Sequence, residues 1–431
     1  MSVRPPLPIA CAWVLAWLAT LAPADARAGQ ESTAPALTTR IDGQLIAAAG
    51  ASRPADHAIN PGNATFQLPR HTLLGEVRLD ARVEAGRRWQ LVLRPRGRRS
   101  LYGVAVGGGA AQWHGESMAE VTEAFVNWQA LDAVSVTYGL QNFQWGPAEL
   151  ISPSNRLFHV TGVFRDPLFL VRGRHLLRVN LTAGRQWSVV AMVEPGATSE
   201  APFRAGARFR RAVQSKIEYT SPSGGAYAAL AAGARGGEPP WAGGYASVEL
   251  PAGLAVYVDA SAQRGSQAWY PVDTPGRPVL ATSNRHRGMR ALALSGLRYT
   301  RSAAFDARLE LLRNTSGYTR SQGEAAAGIA EGGSPDALER WLDPGLEFLG
   351  RDLALVSVSG RDLPPADRLD VQARYVRSFT DRSGTMFVTA SLETGDAVVV
   401  FVSAMVPHGR DGAEFTRLAR AAAVAGLVWS F

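Results

Sequence analysis

The chain has 431 residues, a formal net charge of +8, one cysteine and an apolar content of 46%, with a mean hydropathy of −0.05. Beyond its opening segment no stretch approaches the ~20 consecutive apolar residues of a spanning helix, and a single cysteine excludes both a disulfide framework and a Cys-based metal centre. The basic balance alone fits nucleic acid or an anionic surface.

Residues 1–28 carry Arg4, an apolar run from about Pro8 to Ala22, and Ala26-Arg27-Ala28. This is the pattern of a secretory signal peptide cut before Gly29, with Ala22-Pro23-Ala24 as a second site. Cys11 lies inside the run, so the exported chain is expected to contain no cysteine. Export turns the charge argument away from nucleic acid and towards lipopolysaccharide, polysaccharide or small anions as partners. Residues 29–70 form an N-terminal segment with a first strand near 38–48. Residues 71–431 are expected to form one domain.

From there a period of two dominates. Leu73, Gly75, Val77, Leu79, Ala81 and Val83 share one face of a strand, against Glu76, Arg78, Asp80, Arg82 and Glu84 on the other. After a turn at Ala85-Gly86, Trp89, Leu91 and Leu93 oppose Arg88, Gln90, Arg94 and Arg96. Residues 132–141 and 185–194 repeat the pattern, and further strands read near 100–106, 119–129, 168–183, 213–221, 224–234, 243–250, 253–263, 287–299, 304–313, 351–359, 368–378, 384–393 and 396–405. Many run to ten residues, roughly the length that crosses a bilayer at a tilt, and soluble sandwich strands are shorter. One face carries charge and the other is apolar, as when one side lines water and the other lipid. The fold class is therefore all-β, a transmembrane antiparallel β-barrel of about 16–18 strands.

Short turns at Ser223-Gly224, Ala252-Gly253 and Thr394-Gly395 alternate with long connections at 142–167, 195–212, 264–286 and 314–349. Too little chain precedes Leu73 for a separate plug domain. Arg78, Asp80, Arg82, Arg94, Arg298, Arg308 and Arg374 fall in the water-facing phase and are expected to line the lumen. Opposed rows of arginine and carboxylate there would set up a transverse field. The clusters Arg94–Arg99, Arg204–Arg211 and Arg285–Arg290 suit anions or phosphates, or serve as interfacial anchors.

The first long connection is apolar for an external loop, with Leu150, Ile151, Leu157, Phe158, Val160, Val163 and Phe164. Such a loop must bury these side chains. Folded into the lumen it would narrow the pore, with Arg156, His159 and Arg165 as constriction charges. Folded over the rim it would cap the barrel. Trp145 reads as an interface aromatic at a strand end.

The chain closes on a strand with Ala421, Ala423, Ala425, Leu427, Trp429 and Phe431 in one phase. Gly426, Trp429 and Phe431 resemble the C-terminal assembly signal of bacterial outer-membrane barrels, although Val424 stands where a polar residue is common. The resemblance implies recognition by the barrel-assembly machinery, an outer-membrane location in a Gram-negative cell, contact with outer-membrane lipid and lipopolysaccharide, and a porin-like channel, a homotrimer being one arrangement of that class. The tract Trp145-Gly146-Pro147, Leu150-Ile151-Ser152, Asn155-Arg156 is similar to porin-like barrels near the alginate-export group and to capsule-assembly barrels. The second likeness implies a surface-polysaccharide barrel with an occluded lumen, in which Trp145 stacks on sugar and Asn155 and Arg156 supply hydrogen bonds.

Enzyme readings find little support. The seven histidines are scattered, and none has a serine two residues away. No H-E-x-x-H is present. Asp352, Asp362, Asp367 and Asp370 lie in or beside a loop, where acidic residues are ordinary. The sequence therefore points to passive diffusion of small hydrophilic or anionic solutes, without cofactor or metal.

Overall fold

The computed structural model describes residues 37–158, 167–196, 209–275, 277–282, 288–302, 304–363 and 367–431. The signal segment, His159, Arg165, Arg204, Arg208, Arg285 and Arg287 lie outside the described residues.

Alternation does what it predicts. Among the described residues eighteen strands join in one antiparallel sheet that closes on itself. The strands are β1 (Leu37–Pro54), β2 (Pro69–Ala85), β3 (Trp89–Val104), β4 (Gln112–Leu131), β5 (Val134–Gln141), β6 (Arg174–Ala183), β7 (Trp187–Glu194), β8 (Ala212–Thr220), β9 (Ala226–Arg235), β10 (Trp241–Leu250) and β11 (Leu254–Arg264). A separate hairpin, β12 (Tyr270–Thr274) and β13 (Arg277–Ala281), precedes β14 (Met289–Ser302) and β15 (Phe305–Asn314). Helices α1 (Arg320–Glu331) and α2 (Pro335–Leu342) come next, followed by β16 (Asp352–Leu363), β17 (Leu369–Ser378), β18 (Gly384–Glu393), β19 (Val398–His408) and β20 (Ala419–Ser430). Closure is between β1 and β20, with Gln44 opposite Ser430 and Ala51 opposite Ala423. Gly43 and Phe431 exchange backbone hydrogen bonds of 2.9 and 3.0 Å. A side chain at Gly43 would collide with the Phe431 ring.

Strand β1 covers the first strand expected near 38–48 and runs on to Pro54, and an outer connection joins it to β2. The separate strand expected at 100–106 is the upper part of β3. Within the connection at 314–349 the chain forms helices, begun by a Thr319 capping box with Gln322.

Outward residues such as Val77, Leu91, Val256, Leu309, Val356 and Leu427 are exposed. Their exposure to water would be costly, and exposure to lipid is not. At the end bearing the short turns, aromatics pair on this outer face: Trp89 with Trp128 at 5.5 Å and Trp187 with Tyr219 at 4.9 Å across neighbouring strands, and Trp429 with Phe431 at 5.5 Å along the last one, between ring centroids. This is the aromatic girdle of a membrane–water interface.

The long connections all leave the opposite end. The β1–β2, β11–β14 and β15–β16 connections meet in an apolar core of Ile59, Tyr270, Leu280, Tyr318, Ala326 and Trp341. Gln267 bonds to Gly237 O of the β9–β10 connection at 2.6 Å. Gly107 N–H donates to Gly62 O at 2.8 Å, which ties in the β3–β4 connection. These loops form a lid at the outer end.

Candidate functional site

The lumen is crossed by the β5–β6 connection. Gly146 adopts a φ of +95°, and a Cβ there would lie 2.6 Å from both Asp259 Oδ2 and Ser152 Oγ. Only glycine permits that backbone and that approach. The Trp145-Gly146-Pro147 tract is therefore the bend that sends the loop inward.

Beyond the bend, buried wall carboxylates capture the loop's backbone. Glu310 of β15 accepts from Glu149 N–H at 2.6 Å and Leu150 N–H at 2.7 Å, and also from Tyr257 OH at 2.6 Å. Asp259 of β11 accepts from Ser152 Oγ at 2.7 Å and Ser154 N–H at 2.8 Å. In the other direction, the loop's Glu149 carboxylate meets Arg374 of β17 at 2.7 Å and Arg308 of β15 at 3.2 Å. It also accepts from Ser357 Oγ of β16 at 3.2 Å. Each buried charge thus has a partner, as a low-dielectric interior requires.

Apolar contacts complete the seat. Leu150 and Ile151 are fully buried against Leu294, Leu312, Leu353, Leu355 and Val376. Trp145, Leu157 and Phe158 pack on Leu176, Val190, Met192 and Tyr245. The loop then reaches the far wall, where Arg78 of β2 donates to Pro167 O at 3.0 Å and Leu168 O at 3.2 Å. Strands β2 and β11 stand opposite each other in the eighteen-strand ring, so the described parts of the connection touch opposite walls of the lumen.

The sequence-selected residues fall into two groups. Trp145, Asn155 and Arg156 lie together in the loop inside the barrel. Trp145 is buried, edge-on to Phe143 at 5.8 Å, with the Lys216 ammonium 5.5 Å over its ring, so it belongs to no lipid-interface girdle. Asn155 is fully buried and donates to Phe143 O at 3.2 Å, closing the loop on itself. Arg156 donates to Gln263 Oε1 of β11. The second group lies on the wall. Arg82 and Arg94 both bond Asp80, at 2.8 and 3.0 Å, and Arg94 reaches Glu123 at 2.6 Å. Arg298 and Arg308 share Asp306.

These pairs correct the expectation of opposed charge rows. The pairs form within one wall, along a strand for Arg82–Asp80 and Arg308–Asp306 and across neighbouring strands for Arg94–Asp80, Arg94–Glu123 and Arg298–Asp306, where a cross-strand partner is ~5 Å away. Each of these arginines therefore meets its carboxylate on its own wall.

Glu149, Asp259, Glu310 and Gln263 carry the loop contacts, and the sequence reading did not single them out. One signal was present. Where the loop docks, the inward phase is apolar too, as at Val189-Val190-Ala191-Met192 and Leu353-Ala354-Leu355-Val356. Two-sided apolar runs mark wall that is covered on both faces.

No known protein-family profile matches the chain, and no curated protein matches its sequence. Solved structures do match in fold. OccAB1 of Acinetobacter baumannii aligns with a TM-score of 0.54 and 11% identity over 91% of this chain and 96% of its own. OccK9 (OpdG) of Pseudomonas aeruginosa gives 0.54 and 9% over 92% and 98%. The outer membrane protein OprD of Pseudomonas aeruginosa gives 0.51 and 10% over 93% and 95%. The chain thus has the fold of porin-like outer-membrane barrels, with an apolar outer band and an aromatic girdle suited to a membrane.

Proposed function

We infer that the protein is a passive channel for small hydrophilic solutes, with a preference for anions, and that the lumen loop sets its width. The carrying observation is the loop itself, drawn into the lumen and fixed there by Glu310, Asp259, Arg308 and Arg374. Selection then needs no bound cofactor, only pore width and a charged lining.

Charge preference follows from how the wall pairs present themselves. Towards the short-turn end, Arg82 is 41% exposed and Asp80 26%, while Arg298 is 44% exposed and Asp306 20%. A passing solute meets guanidinium before carboxylate, and the guanidinium fork suits carboxylate and phosphate groups.

The test is single-channel conductance of the purified, folded chain in a planar bilayer under a salt gradient. Discrete steps with an anion-side reversal potential are expected, with larger steps after deletion of residues 147–165. A folded barrel that stays silent in both forms would remove the channel reading.

A surface-polysaccharide barrel with an occluded lumen is the second reading. It is favoured by the loop's contact with both walls and by the lid's apolar core. Its sugar contacts would have to lie on the lid, because Trp145, Asn155 and Arg156 are inside the barrel.

A further inference from the structure

Three outer connections meet at one acidic corner of the lid. Glu414, in the β19–β20 connection, accepts with its carboxylate from Leu349 N–H at 2.7 Å and Gly350 N–H at 3.1 Å, both at the end of the β15–β16 connection. Its own backbone N–H donates to Asp381 Oδ2 of the β17–β18 connection at 2.7 Å. The other Asp381 oxygen accepts from Ser383 N–H at 2.9 Å and Ser383 Oγ at 2.7 Å. A cavity of about 210 Å³ opens beside this corner, bounded on its far side by the Thr319, Gly323 and Ala327 face of α1.

Among the surrounding charges only the buried Arg417 guanidinium also acts on Glu414, and the others named here are engaged elsewhere. Arg417, on the same connection as Glu414, lays its guanidinium over the Trp341 ring at 4.0 Å. Arg410 and Arg320 are both engaged by Glu324 of α1. Asp411 is paired with Arg420. Arg351 of the β15–β16 connection donates to Gly317 O at 2.9 Å. Among the described residues neither Glu414 nor Asp381 forms an ion pair.

We propose that Glu414 and Asp381 form a proton-operated clasp on the lid, closed while Glu414 holds a proton and loosened when it releases the proton to water. A neutral Glu414 keeps an oxygen for Leu349 N–H and removes the repulsion from Asp381. An ionised one restores two like charges, which separate only if the loops part. Burial, and after it the Asp381 charge, push the Glu414 carboxyl up to about 7, against the pull of the Leu349 and Gly350 amides and the Ser378 hydroxyl of β17. A carboxyl raised on closure stabilises the closed form fully below its ordinary value of about 4.3. That stabilisation is lost as pH climbs to about 7, and the dependence is flat above. The lid therefore tightens in acid and loosens towards neutral pH.

The experiment follows lid geometry, so it reads independently of conduction. Spin labels at Gly328→Cys on α1 and Arg382→Cys on the β17–β18 connection report the separation across the cavity in the folded, membrane-inserted chain. The distance distribution is expected to be narrow and short in acid and to broaden as pH rises towards 7. Glu414→Gln should hold it narrow throughout. Asp381→Asn should move the midpoint to lower pH, because the neighbouring charge is gone. A wild-type distribution that does not change with pH overturns the clasp, as does a transition that survives in Glu414→Gln. If Glu414→Gln does not fold, an unmoved midpoint in Asp381→Asn does so alone.

Discussion

The lumen loop and the lid both close the barrel, and they are held by different forces. The loop at 142–158 ends its backbone N–H groups on Glu310 and Asp259 and its one carboxylate on Arg308 and Arg374. The lid carries its own apolar core around Tyr270, Tyr318 and Trp341. The difference follows from the surroundings. Inside a lumen whose inward phase is polar, a loop is fixed by the charges the wall already presents, and its orphan amides must find acceptors there. Above the membrane a loop sits in water and needs buried area of its own. The first anchorage is directional and sensitive to one charge. The second is diffuse and sensitive to volume.

That contrast breaks most sharply at Glu149. Glu149→Ala removes the carboxylate that pairs with the buried Arg374 at 2.7 Å, a loss of about 3–5 kcal/mol for breaking a buried pair from one side. The loop should leave the β15–β17 wall, and single-channel conductance should rise. Unchanged steps would show that the apolar seat of Leu150 and Ile151 holds the loop alone. Trp341→Ala removes a volume from the lid core, about 3–5 kcal/mol for a buried Trp. Protease cleavage within 315–351 should accelerate while conductance steps keep their size. A change in step size would mean that lid and constriction are mechanically joined. Gly146→Ala should be milder, about 1–3 kcal/mol of backbone strain, plus the clash with Asp259. It is expected to broaden the open-channel current rather than abolish the constriction.

How far the sequence carried these regions differs for the same physical reason. The barrel was legible because lipid and water impose a period of two over whole strands, and eighteen strands lie within the expected range. The loop's inward course was legible in part, since Leu150, Ile151 and Phe158 had to be buried somewhere. Its anchors were not. Glu310 and Asp259 look like any other lumen carboxylate in the alternation, and only closure of the ring brings them beneath residues more than 100 positions away. The lid helices were missed because α1 is rich in alanine and glycine and lies between strands. Its Thr319–Gln322 capping box was the one local cue.

The smallest energetic effect sharpens the charge argument. Arg82 and Arg298 are partly exposed in pairs whose loss costs ~0–1 kcal/mol, so Arg82→Gln with Arg298→Gln should leave the barrel's stability and step size unchanged. Asp80 keeps Arg94 and Asp306 keeps Arg308, which holds both carboxylates in place. Removing the two guanidinium groups that a solute meets first nevertheless leaves the wall more negative along the wet half of the lumen. The reversal potential in a salt gradient should move towards the cation side, and more so at low ionic strength, where screening is weaker. The lid variant Arg320→Gln removes the same kind of charge from an exposed pair with Glu324 and should leave the potential where it was. A lid shift about half that of the wall pair, in proportion to the one charge removed against two, would show that total charge sets selectivity; a shift from the wall pair alone would assign it to the lumen arginines.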